Sequence, residues 1–342
     1  MSSLKSLTSS LAAILPAAAF AATSPSTSVE PYLTTHLPGI EITSILTVDD
    51  GVTISKTGGG TTRLVGIPDG IGAIDGADLG ENDFFYLLVN HEISATQGIA
   101  RDHGGAGAFV SKWKVDKGTL EVVEGDDLIK EVYIWENETF VLDNNYTFDR
   151  LCSADLPGIS ATYNANTALG SQEFIYFNGE ETSGGRAFGH IVTGADAGKS
   201  YELKHLGYAA WENVLLSPFA QDITIAMLTD DDSNGEVYMY VGDKKAEGTE
   251  LEKAGLCGGI LYAIAVEGKP FELAANDGPL ADYVMDGDPF ILKTLGIPGD
   301  RPVDGSDTTA RGLETANPVV DGENYQSLKF GGPEDGAWDT RA

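Results

Sequence analysis

Basic side chains are scarce in this chain: 21 Lys and Arg stand against 52 Asp and Glu, a net charge of −31. Nucleic acid and anionic membrane surfaces are thereby excluded as partners, because both would repel it. Long apolar runs are missing too. After Phe20 nothing approaches the roughly 18 consecutive apolar residues that a spanning helix needs, so no membrane span is expected. Only two cysteines occur, Cys152 and Cys257. They allow a single disulfide, worth roughly 4–5 kcal/mol for so long a loop, and the sequence leaves bridged and free thiols both open. The chain has no G-x-S-x-G elbow, no H-E-x-x-H helix and no Walker loop, which removes three common routes to hydrolysis. Convincing long helical periodicities are absent; the best helical segment is short, Leu280 to Met285, with Pro279 suited to its start.

What is present points to export and to β structure. Lys5, the apolar stretch Leu11 to Phe20 and the small-x-small site Ala19-Phe20-Ala21 read as a secretory signal over residues 1–21. A buried N-terminal helix is the alternative. Residues 22–40, rich in Ser, Thr and Pro, read as a linker or edge segment. The 42 glycines scatter in turn-like contexts among short apolar runs, as expected of many short strands. Such runs are Phe84–Asn90, Ala108–Val115, Thr119–Val123, Lys130–Trp135, Thr139–Leu142, Glu173–Asn178, Ala187–Thr193, Ser200–Leu206, Ile223–Leu228, Glu236–Val241 and Gly259–Val266. Asp116-Lys117-Gly118 is a hairpin signal between two of them. With 42% hydrophobic residues a large all-β domain is expected over 41–342.

Five polar clusters fall at the ends of these runs: Asn90-His91-Glu92, Glu180-Glu181, Trp211-Glu212-Asn213, Asp230 to Gly235, and Pro333-Glu334-Asp335. Each brings carboxylate or amide oxygens, the ligands of hard divalent cations. Asp230, Asp232, Asn234 and Gly235 match the opening of a calcium loop, but Val241 stands where its bidentate Glu belongs; a hairpin turn with Asx hydrogen bonds fits equally. His91 could act as acid, base, ligand or plain hydrogen-bonding residue. His103-Gly104-Gly105-Ala106-Gly107 lacks the ending of a phosphate loop and reads as a turn.

The order of these clusters resembles the PhoX-type alkaline phosphatases, in a divergent secreted bacterial branch. The resemblance rests on Leu87-Leu88-Val89-Asn90-His91-Glu92, His103-Gly104-Gly105, Asn178-Gly179-Glu180-Glu181 with Gly185-Arg186-Ala187-Phe188-Gly189, Trp211-Glu212-Asn213, Thr229-Asp230-Asp231 and Pro333-Glu334-Asp335. It implies a β-propeller of short antiparallel four-stranded blades, with closing strands beyond Ala342. It implies Glu92, Glu180, Glu181, Glu212, Asp230, Asp231 and Glu334 as metal ligands. Glu181, Glu212 and Arg186 become the residues closest to catalysis. Ca²⁺ is the implied ion. Fe³⁺ is less well served, because Gly179 occupies the family's cysteine position. Trp211 replaces a histidine of the family and Gly332 an arginine, and Arg186 is the substitute expected for that cation.

The function implied is a calcium-dependent phosphate monoesterase, monomeric, secreted or periplasmic, acting on a small phosphate ester. Two other readings stay open: a calcium-dependent esterase or lactonase, and a non-enzymatic calcium-binding propeller for a partner or polymer.

Overall fold

A computed structural model describes residues 20–233, 235–266, 269, 289, 291–294, 319–320, 323–324 and 328–341. Nearly all of the expected signal segment, the helix expected over Leu280 to Met285 and the loop residue Asn234 lie outside the described residues. Phe20 and Ala21 of the expected cleavage site open a short strand, Phe20–Thr23, paired in parallel with Glu41–Ser44. Among the described residues no helix is long and apolar enough to cross a membrane.

The architecture is all-β, with several antiparallel sheets. A four-stranded meander forms first: β1 (Pro68–Asp75), β2 (Phe84–His91), β3 (Phe109–Asp116) and β4 (Val122–Asp127), each antiparallel to the next. The turn from β3 to β4 closes as its sequence predicts, with Asp116 Oδ1 accepting from Gly118 N and Thr119 N at 2.9 and 2.8 Å. Alternation of side chains then builds two cores from one sheet. Tyr86, Leu88 and Val110 enter one cluster, while Val89, Trp113 and Val115 enter another on the opposite face. Each fully buried apolar side chain of this kind contributes roughly 1.5–3 kcal/mol.

The second sheet is larger. It contains β5 (Glu131–Glu136), β6 (Thr139–Leu142), β7 (Leu151–Asp155), β8 (Ile175–Ile191), β9 (Lys199–Glu202), β10 (Tyr208–Leu216), β11 (Ile223–Asp230), β12 (Gly235–Asp243), β13 (Ile260–Ala265) and β14 (Ile291–Thr294). From β10 to β14 the strands again run as an antiparallel meander, and four-stranded meanders are the units from which propeller blades are built. The two runs expected at Glu173–Asn178 and Ala187–Thr193 are one strand, β8. It pairs with β7 near its start, β10 in the middle and β9 near its end. Phe177, Trp211, Val214, Leu228, Tyr238 and Tyr240 form the core of this half.

Four of these strands lie outside the expected runs, namely β1, β7, β10 and β14. The glycines of β1 explain the first. A Cβ on Gly70 would lie 2.5 Å from Ala154 N, and one on Gly72 would lie 2.7 Å from Leu156 Cβ. Glycine at both positions lets β7 lie directly against β1.

Candidate metal centre

Five of the side chains that gather here are set by four breaks in strand register. Pairing shifts between Pro68 and Ile71 around Asp69, and between Leu151 and Ala154 around Cys152 and Ser153. It shifts between Trp211 and Asn213 around Glu212, and begins a shift at Glu181 that ends at Gly185. A bulge re-aims the side chains it carries, and these four aim theirs at one place. Ligand atoms of Asp69, Glu92 and Cys152 lie within 4.8 Å of one another, as do those of Cys152, Glu181 and Glu212. Cys152 belongs to both groups and joins them. These atoms could hold a metal ion.

Arg150 is the cation of the cluster. Its Nη2 donates to Glu92 Oε1 and to Glu181 Oε2, both at 2.7 Å, and its Nε donates to Glu92 Oε1 at 3.0 Å. The two carboxylates are only 14% and 10% exposed, while Arg150 is 47% exposed. Of the carboxyl groups gathered here, Glu92 and Glu181 pair with this guanidinium. Burial pushes the Glu181 carboxyl up to about 7; Arg150 pulls it down, while Glu212 and Glu92 push it further up. Glu212 is raised by burial too, against the hydrogen bond from Ser153. Burial, with the facing Glu212 and Asp69 carboxylates, holds the Cys152 thiol protonated far above its usual range. Such a site favours a cation that would neutralise it.

A buried amide network holds the bulges in place. Asn90 Nδ2 donates to Cys152 O at 2.7 Å and to Ser153 O at 3.1 Å. Its Oδ1 accepts from Asn178 Nδ2 at 2.9 Å and from the Tyr176 hydroxyl at 3.1 Å, and that hydroxyl also reaches Gly70 O at 2.8 Å. One asparagine thus ties β7 and β8 to β2, and Tyr176 adds Gly70 of β1. Ser153 Oγ completes the floor, 2.5 Å from Glu212 Oε1 and 3.1 Å from Asp335 Oδ1.

Of the residues expected from sequence, the fold brings Glu92, Glu181 and Glu212 together. Asp231 lies near enough to help raise Glu212. Glu180 points elsewhere: it is buried, and it accepts from Tyr146 OH, Asp149 N and Arg186 N. Asp230 is fully buried and accepts from Ala210 N at 2.9 Å. Glu334 is exposed and meets Asn213 Nδ2 through its main-chain carbonyl at 3.2 Å; the side chain of that segment reaching the cluster is Asp335. Arg186 Nε lies 3.4 Å from Glu202 Oε1 and its Nη1 is 3.3 Å from Tyr146 OH. It makes no ion pair with Glu92, Glu181 or Glu212; the arginine paired with Glu92 and Glu181 is Arg150. His91 is buried, with Nδ1 donating to Val65 O at 2.6 Å and Nε2 accepting from Ser111 Oγ at 2.7 Å. The scaffold uses both of its nitrogens.

Sequence reasoning missed Asp69, Arg150, Cys152, Ser153 and Asp335 as members of the site. Asp69 hides in a glycine-rich run that reads as a turn. The sequence leaves Cys152 and Cys257 open as bridged or free, and both thiols are free. At Gly179, a Cβ would lie 2.3 Å from Trp211 Cβ, so a cysteine there has no room. The thiol of this site arrives from β7 instead.

No family model matches the sequence, and no curated protein does. A solved structure, Pseudomonas fluorescens PhoX in complex with vanadate, a transition state analogue, aligns with 73% of this chain and 53% of its own. The identity is 13% and the TM-score 0.37. The chain therefore spans about half the length of that structure.

Proposed function

We propose that this chain is an exported, calcium-dependent phosphohydrolase acting on small phosphate monoesters. The observation that carries the reading is the convergence of Asp69, Glu92, Glu181 and Glu212 on one place, answered by the single guanidinium of Arg150. The order of motifs along the sequence supports it. The donor set fits a hard cation through its carboxylate oxygens. The Cys152 thiol, at the junction of the two groups, suits a softer transition metal such as iron. A bound ion would supply charge neutralisation and polarise a phosphate oxygen.

The chain's own residues have separable roles. Glu181 and Glu212, from β8 and β10, would hold the ion together with Glu92 and Asp69. Ser153 fixes the Glu212 carboxylate through its short hydrogen bond. Arg150, half exposed, can leave its two carboxylates and grip phosphate oxygens as a bidentate donor. Asn90 keeps the β7 bulge, and so Cys152 and Ser153, in register with the rest.

The test is hydrolysis of an aryl phosphate by the mature protein with calcium, with chelator and with iron added. Calcium-dependent phosphate release is the expected result. Folded, calcium-loaded protein without turnover would overturn the enzymatic reading and leave calcium as a structural ion of a binding propeller.

A further inference from the structure

A cavity of about 430 Å³ shares no lining residue with the acidic cluster. Its walls carry Arg63 and Arg101, the hydroxyls of Thr53, Thr61 and Thr62, and the apolar side chains of Val65 and Ile99. No carboxylate lines it. In a chain of net charge −31 that lining reverses the sign of the surrounding surface.

Its donors are free to take a ligand. Arg101 is rigidly seated: its guanidinium carbon lies 3.4 Å from the Phe109 ring centroid, and Phe109 stacks on His91 at 3.9 Å. One end of the guanidinium is answered by Asp127 Oδ1, 3.7 Å from Nη1, while Nε is buried without a hydrogen-bond partner. The Arg101 side chain is only 10% exposed. Arg63 is exposed and, among the described residues, makes no ion pair or hydrogen bond. The three threonine hydroxyls likewise have no partner among them. One buried guanidinium, one exposed guanidinium and three hydroxyls thus surround a space whose remaining wall is apolar.

We infer that this cavity binds a small organic anion, with a phosphate or carboxylate head against Arg63 and Arg101 and a compact apolar body against Val65 and Ile99. The volume falls within the range of small-molecule sites, which pair apolar walls with a few convergent polar groups. Arginine is suited to both heads because its planar fork matches either oxyanion.

Calorimetric titration of the chelator-treated protein with phenyl phosphate, benzoate and inorganic phosphate tests this. Chelation removes any metal-held phosphate, and Glu212→Gln serves as a second control for the acidic cluster. The expected result is saturable binding of phenyl phosphate or benzoate, unchanged in Glu212→Gln and weakened about tenfold or more in Arg63→Ala. Preference between the two probes assigns the head group. Arg63 has no partner to lose, so its variant should fold normally; Thr62→Val, which keeps the shape, should weaken binding by a smaller factor. Absence of saturable binding by any probe would overturn the inference. So would equal affinity in wild type and Arg63→Ala, or inorganic phosphate binding as tightly as phenyl phosphate. Because these titrations read no turnover, their failure is distinct from failure of the phosphohydrolase reading.

Discussion

Glu92 and Glu181, which come from different sheets, share one nitrogen of Arg150 at 2.7 Å each. Neither carboxylate is compensated by another cation in the cluster. The arginine therefore holds the two halves of the site together, and as a cation on both carboxylates it would compete with an ion for them.

Replacing Arg150 separates these roles. Arg150→Ala should retain or tighten calcium binding, because a competing cation is gone. It should lower kcat/KM for an aryl phosphate about 100-fold, the loss of one charge-assisted bidentate contact of roughly 2–3 kcal/mol. Calcium titration and steady-state kinetics on the same preparation check both halves. Weaker calcium binding would show that the arginine organises the carboxylates rather than competing for them.

Removing single charges from the ligands tests the site itself. With calcium near 100 times its Kd, the wild type should gain about 2.7 kcal/mol in stability. Glu181→Gln and Glu212→Gln should each lose most of that gain while unfolding normally in chelator. Thermal melts with and without calcium read the difference, and an unchanged calcium shift in both variants would remove these residues from the site.

A pH-dependent effect is expected beside the site at Asp155. Burial pushes its carboxyl up to about 6, although its Oδ2 accepts from Leu216 N at 2.8 Å. The folded chain therefore holds this proton more tightly than the unfolded one. The associated stability is fully present below about pH 4 and is lost as pH rises through about 6. Asp155→Asn keeps the acceptor and removes the ionisation. Its stability advantage over wild type should grow by about 2–3 kcal/mol between pH 4 and pH 8. Denaturant melts at both values measure it; a constant difference would contradict the assignment.

The close approach of β7 to β1 depends on a missing side chain. Gly70→Ala places a Cβ 2.5 Å from Ala154 N and 2.7 Å from Ser153 C. A loss of about 1–3 kcal/mol is expected, with weaker calcium binding as Cys152 and Asp69 move apart. Gly58→Ala, with nothing within 4 Å, is the control and should stay within about 0.5 kcal/mol of wild type.

The sequence alone determined the class of fold. Short apolar runs with turn residues between them predict β2, β3, β5, β6, β11, β12 and β13 closely, because alternation within a strand is a local property. It also marked Glu92, Glu181 and Glu212, each beside or within a strand. Tertiary structure alone decided which polar residues meet. Glu180 and Glu181 are neighbours in sequence, yet one is spent on Tyr146 and the other faces Arg150. The members that pattern reading missed sit where β1 and β7 break register, and a break in register belongs to two strands at once. Neither strand's own residues reveal it: Gly70 and Gly72 look like a turn until Ala154 and Leu156 lie against them.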